Sequence, residues 1–121
     1  MSDPADIRRR VSELRAQLDT GDADATLRQI EQAAHDDPNP PMLGLLGEAY
    51  LRLDRANDAV IPLAAATGLS DHSQYAIILA RALLKIGRTD DGMLIAQRIL
   101  RRDPRNRDAL DIMQQLHGQR K

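Results

Sequence analysis

Residues 46–66, L-G-E-A-Y-L-R-L-D-R-A-N-D-A-V-I-P-L-A-A-A, read as two helices hinged at Asp54 and Arg55. Gly47, Ala49, Ala59 and Ala66 stand where the two helices must approach closely. Small residues at such points let helix axes come nearer than the usual ~8–10 Å, and so they set the angle of the hairpin.

Outward from this stretch the same unit is spelled again. Loops marked by proline or acid, Asp37-Pro38, Ser70-Asp71 and Asp103-Pro104, place Pro38, Asp71 and Pro104 at successive intervals of 33 residues. Thr26, Ala59 and Gly92 keep that interval, as do Ala33, Ala66 and Ile99. A fixed period of this length marks stacked helical hairpins.

Toward the N-terminus, Ser2-Asp3-Pro4 carries helix-start signals, with Asp3 as capping acceptor and Pro4 at the first helical position. Ile7, Val11, Leu14 and Leu18 then keep one face dry, and Arg8, Arg9, Arg10 and Arg15 read as a solvated face. Thr20-Gly21-Asp22 ends this helix and caps a second, which runs to about His35 with Leu27, Ile30 and Ala33 inward. Asn39-Pro40 starts helix three, to about Leu53. Helix four spans about 57–66 and is expected to end at Thr67-Gly68 with the glycine in a left-handed turn, and Pro62 predicts a bend within it. Ser70 or Asp71 is expected to cap helix five, which is apolar nearly all round from Tyr75 to Ile86 and so needs cover on more than one side. Gly87 ends it, and Thr89 is expected to cap helix six, which runs to Arg102. A seventh helix, about 107–117, with Leu110, Met113 and Leu116 on its packed face, reads as an end cap with a wet outer surface.

Composition narrows the function. The 121 residues are 42% hydrophobic and 29% charged, ordinary for one soluble domain, but Phe and Trp are absent and only Tyr50 and Tyr75 are aromatic, so the core is aliphatic. A net charge of -1 with so few aromatics lacks both the basic footprint and the stacking platforms of a nucleic-acid binder. The absence of cysteine removes disulfides, thiolate ligands and thiol nucleophiles. M-S-D-P-A-D is no signal segment and no apolar run approaches a bilayer span, so the expected partners exclude membrane and the expected setting is cytoplasmic.

On L-G-E-A-Y at 46–50 with Ala59, Leu63 and Ala66, L-A-R-A-L at 79–83 with Gly87, Ala96 and Asp103-Pro104, and G-D-A-D-A at 21–25 with Ile30, Ala33 and Asp37-Pro38, the chain resembles the tetratricopeptide repeat family. It departs in having Leu or Ile at most of the family's aromatic positions and Ser70-Asp71 where Asp-Pro is usual. Helix one fits only if its turn is shorter by about one residue. The resemblance implies an all-α, right-handed α-solenoid of three hairpins plus a capping helix, a single domain over 1–121 with repeats at about 7–39, 40–72 and 73–106 and the cap at about 107–117.

In that family the first helix of each pair lines a concave groove. The resemblance therefore implies a partner-binding face of Leu45, Glu48 and Arg52, then Ile78, Arg81 and Lys85, then Ile112, Gln115 and Gln119 on the cap, with Asp108 and Asp111 beside them. It gives an apolar floor (Leu45, Ile78, Ile112) and a positive rim (Arg52, Arg81, Lys85). The family's clamp for chaperone C-terminal carboxylates is absent: Leu45 replaces its Asn, and Gln74 and Ile78 replace its Lys and Arg. The expected function is a non-catalytic adaptor that binds an apolar or amphipathic protein or peptide segment. The alternative is a self-assembling homo-oligomeric scaffold, using the groove or the charged ends.

Those ends differ in sign: residues 98–121 hold seven Lys or Arg against three acids, and 22–72 hold three against nine. Catalysis and cofactors find no support. His35, His72 and His117 are far apart and lack metal-ligand spacing. A calcium loop starting at Asp22 would require Gly at 27 and Glu at 33, where this chain has Leu27 and Ala33.

Overall fold

The computed structural model describes residues 3–119, with side chains through Gly118. The described residues form seven helices and no strand: α1 Pro4–Thr20, α2 Ala23–Asp36, α3 Pro40–Arg52, α4 Ala56–Leu69, α5 Ser73–Lys85, α6 Thr89–Arg102 and α7 Arg107–Gln119. Each helix packs on the next, and α1 also packs on α3, α3 on α5 and α5 on α7. That second set of contacts aligns the odd-numbered helices in one layer, the concave side of an α-solenoid. The even-numbered helices form the convex back.

Local chemistry explains the helix starts. Asp3 accepts from the Ala5 N–H, Asp22 from those of Asp24 and Ala25, Asn39 from Met42 and Asn106 from Ala109. Each satisfies donors that an unextended helix end leaves orphaned. Helices α5 and α6 differ from expectation, and α4 is like them in lacking a side-chain cap. Neither Thr89 nor Ser70 or Asp71 caps a helix: the N-cap residues are Arg55, His72 and Arg88, none with a side-chain cap bond. At α4 and α6 the arginine instead reaches forward three residues, Arg55 to Asp58 at 2.8 Å and Arg88 to Asp91 at 2.7 Å. An acid in the positive first turn is thereby held in place.

The two longer turns share a backbone device. Asp54 at φ 60° and Gly87 at φ 85°, 33 residues apart, are in the left-handed region and let a three-residue link reverse the chain. Gly21 is in the same register but extended at φ −115°, because only two residues separate α1 from α2. Gly68 does not end α4 as expected. The helix runs through it to Leu69 and stops at an extended Ser70, and it also continues unbroken through Pro62.

Two apolar clusters fill the interior. The larger joins α1 to α5 through Leu14, Ile30, Leu45 and Leu63, all fully buried, and the smaller joins Ile77 and Ala80 of α5 to Ala96 of α6 and Ile112 of α7. Gly47 lies against the branch of Leu63, so closely that a Cβ there would overlap it, and a Cβ at Gly44 would stand 2.6 Å from the Tyr75 ring. These two glycines bring α3 onto α4 and α5. On α7 the packed face is Ala109, Ile112 and Leu116, while Leu110 is exposed, which corrects the expected Leu110-Met113-Leu116 face by one residue, roughly a quarter of a turn, at its start. Ala33 is likewise only half-buried, the fully buried neighbour being Ala34.

Candidate functional site

The concave layer presents a ladder of ion pairs. The Arg15 guanidinium on α1 donates to both carboxylate oxygens of Glu48 on α3, at 3.3 and 3.0 Å. One turn on, Arg52 of α3 donates to Asp19 of α1. Both pairs join residues 33 apart, the same repeat position in neighbouring hairpins with the charges exchanged. At the other end Arg81 of α5 donates to Asp108 of α7 at 3.1 Å. These pairs are largely solvent-exposed and contribute on the order of 0–1 kcal/mol each, so their main effect is on register and on the local field.

No such pair bridges α3 and α5 among the described residues. In that gap lies a hollow of about 560 Å³, with Leu51, Ile77 and Ile78 as apolar wall and Glu48, Arg52, Gln74, Arg81 and Asp108 around it. His72 closes one end and lies edge-on to Tyr75, ring centroids 6.2 Å apart. The Tyr75 hydroxyl is pushed up from its ordinary pKa, first by burial, with Arg15 opposing and Glu48 adding to the shift.

The implied face is thus only partly assembled. Glu48, Arg52, Ile78, Arg81 and Asp108 surround one hollow. Lys85, one turn beyond Arg81, is exposed and has no ion pair among the described residues; Asp111 and Gln115 are exposed on α7, and the Gln119 side chain lies outside the described residues. The floor needs correction. Leu45 is 0% and Ile112 1% exposed, so of the three apolar floor residues only Ile78 reaches the surface. Leu45 lies inside the larger apolar cluster, on the helix that α1, α2, α4 and α5 all pack against. Ile112 is turned inward onto Ile77 and Ala80. The positive rim is corrected too: Arg52 and Arg81 are neutralised by Asp19 and Asp108, which leaves Lys85 as the uncompensated cation of the three.

Arg15, Asp19, Leu51 and Ile77 complete the site and were not anticipated. The signal for the first two was present as opposite charges at one repeat interval, Arg15 to Glu48 and Asp19 to Arg52. The three histidines are exposed, and among the described residues no group of three or more His, Asp or Glu side chains could hold a metal ion. The carboxylates facing the hollow are engaged with guanidiniums, an arrangement suited to recognition rather than to proton transfer or nucleophilic attack.

No protein-family model matches the sequence, and no curated protein matches it. Solved structures share its fold. The first tetratricopeptide repeat domain of human RPAP3, determined by NMR, is 17% identical with a TM-score of 0.78 over 89% of this chain and 87% of that one. The first such domain of Spaghetti (RPAP3), bound to the HSP90 peptide SRMEEVD, is 17% identical with a TM-score of 0.82 over 96% and 94%. TTC0263, a thermophilic tetratricopeptide repeat protein of Thermus thermophilus, is 23% identical with a TM-score of 0.64 over 79% of this chain and 48% of that one. The fold is therefore that of the tetratricopeptide repeat domains, an all-α solenoid of helical hairpins.

Proposed function

We propose that this chain is a non-catalytic protein-interaction adaptor whose concave groove takes an apolar or amphipathic segment of a partner protein at the opening between α3 and α5. The observation that carries this reading is the interrupted ladder. Ion pairs tie α1 to α3 and α5 to α7, and the junction between α3 and α5, which has none among the described residues, has the partly exposed Leu51 and Ile78 facing a hollow large enough for one or two side chains. Burial of such a wall at ~25 cal/mol per Å² gives affinity, and Lys85, the cation of the rim left uncompensated among the described residues, gives a preference for an acid beside the apolar residue.

The HSP90 peptide held by the Spaghetti domain, SRMEEVD, has three acids among its last four residues. In this chain Leu45 is buried where a clamp residue would be needed, and two groove arginines are already neutralised. The reading therefore favours a less acidic, more apolar ligand. Titration calorimetry with SRMEEVD is expected to give no binding tighter than about 1 mM, a Kd that corresponds to only ~4 kcal/mol. Partner capture from native lysate with wild type and with an Arg81→Glu/Lys85→Glu double variant tests the groove itself. A protein retained by the former and lost from the latter supports the reading, and identical partner sets contradict it.

A further inference from the structure

On the convex back, α4 breaks the pattern of its neighbours. The outward positions 28, 31, 32, 35 and 36 of α2 are Arg, Glu, Gln, His and Asp, and the matching positions of α6 are Leu94, Gln97, Arg98, Arg101 and Arg102. In α4 the same positions are Ile61, Ala64, Ala65, Gly68 and Leu69. All five are exposed, Ile61 at 79% and Leu69 at 62%. No charged residue occurs between Asp58 and Asp71. Hairpin stacking does not call for this, since α2 packs in the equivalent place with a polar outer face and α6 with one that is polar but for Leu94. Beside Ile61 lies a hollow of about 310 Å³ floored by Leu43, Leu46 and Pro62.

We propose that this face pairs the chain with a second copy of itself, α4 against α4 in antiparallel, about a twofold axis that crosses the helices at Ala65 and Gln32. The face is self-complementary, as a twofold interface demands of one surface. An axis at Ala65 sets Ile61 against Leu69 of the partner subunit, with Ala64, Ala65 and Gly68 between them small enough for close helix approach. Gln32 lies one 33-residue period before Ala65, so the same axis crosses α2 there and sets Arg28 against Asp36 of the partner subunit, twice. Arg28 has no ion pair among the described residues, and Asp36 holds only the Gln32 amide, at 2.9 Å. Continued to α6 the axis meets Arg98, which would face its own copy, so the contact stops short of that helix.

The size of the contact sets its strength. Two helices of 14 residues offer a footprint about 21 Å long and about 20 Å wide, on the order of 400 Å² per copy, half of what a standard stable interface buries. The dimer is therefore of the weak, concentration-dependent class. It leaves the concave groove open and does not depend on the adaptor reading.

Sedimentation equilibrium from about 10 µM to about 1 mM tests it, a range that spans weak association. The expected weight-average mass rises from 13.4 kDa toward twice that value. Ile61→Arg, at an exposed site that leaves helicity unchanged, is expected to weaken pairing at least about tenfold. Arg28→Asp alone is expected to weaken it less, and Arg28→Asp/Asp36→Arg to restore it. In this cysteine-free chain, Ala65→Cys is expected to cross-link to itself with a short bismaleimide, whereas Gln74→Cys on the concave side is not. Wild type that stays monomeric at about 1 mM overturns the proposal, as does pairing untouched by Ile61→Arg or a charge swap that fails to recover.

Discussion

The hairpins α3–α4 and α5–α6 are built on one period and close by opposite means. In the first, the hole is in the first helix and the knob on the second: Gly47 of α3 receives the fully buried Leu63 of α4. In the second, the hole is in the second helix. Gly92 of α6 receives Leu84 of α5, and a Cβ there would stand 2.9 Å from the Leu84 Cδ2 and 3.1 Å from the Ala80 carbonyl oxygen. At the positions that match Gly47 and Leu63, this hairpin has Ala80 and Ala96, both fully buried. The repeat therefore fixes how close the axes come, not which helix gives up its side chain. Close packing makes the exchange work only when knob and hole change together.

Substitutions that remove one half of the exchange break the comparison hardest. Leu63→Ala leaves a cavity between α3 and α4 and is expected to destabilise by about 2–5 kcal/mol in urea unfolding. Gly47→Ala drives a methyl into the Leu63 branch point and is expected to cost about 1–3 kcal/mol. Helix propensity favours Ala at both glycines, but at Gly92 the nearest obstacle is the tip of Leu84 at 2.9 Å rather than a branch point closer still, as Leu63 presents at Gly47, so Gly92→Ala is expected to cost less than Gly47→Ala. Equal penalties at the two glycines would mean that the hairpins close alike.

The turns sharpen the same contrast. Gly87→Ala puts a Cβ into the left-handed region and is expected to cost about 1 kcal/mol, whereas Asp54→Gly in the matching turn is expected to change stability by no more than about 0.5 kcal/mol, since Asp tolerates that conformation. A smaller difference is read by pH. Tyr50 stands where the other hairpin has Leu83. Its hydroxyl donates to Glu31 at 2.6 Å and its ring lies 4.9 Å under Arg55. Burial first, then the Glu31 hydrogen bond and charge, push the phenol up from 10.0 to about 12. A group with a raised folded pKa stabilises fully below its unfolded value and ceases to do so as pH climbs through the folded one. Wild type should therefore lose stability between pH 10 and about 12 more steeply than Tyr50→Phe, as read from the thermal midpoint at each pH.

The fold was legible because every hairpin repeats its small residues and its loop markers at one interval, and periodicity survives local irregularity. The one-residue shortening of the first turn was legible for the same reason, as a register that failed to fit: two residues link α1 to α2 and three link α3 to α4. Three of the four side-chain caps were legible, at Asp3, Asp22 and Asn39, and the one at Asn106 was not anticipated. Helix starts were not legible where Arg55 and Arg88 hold a first-turn acid instead, because a sequence rule that looks for a small polar residue passes over an arginine. The groove was half legible. Helical spacing put Glu48 and Arg52, and Ile78 and Arg81, on one face, but whether a face is open depends on neighbours. Leu45 and Ile112 sit at allowed spacings and are nonetheless covered, Leu45 within the larger apolar cluster and Ile112 within the smaller. Charge sign alone also misled at the rim, since Arg52 and Arg81 find their acids on helices that are distant in sequence.

Photo-crosslinking from inside the open junction between α3 and α5 tests docking there most directly. A benzophenone side chain at Gln74, exposed on the wall of the hollow, is expected to give a discrete adduct with a partner protein in native lysate, and Arg81→Glu/Lys85→Glu in the same chain is expected to abolish it. An adduct that forms equally in the charge-reversed chain, or one that forms from the convex face and not from Gln74, would contradict the account.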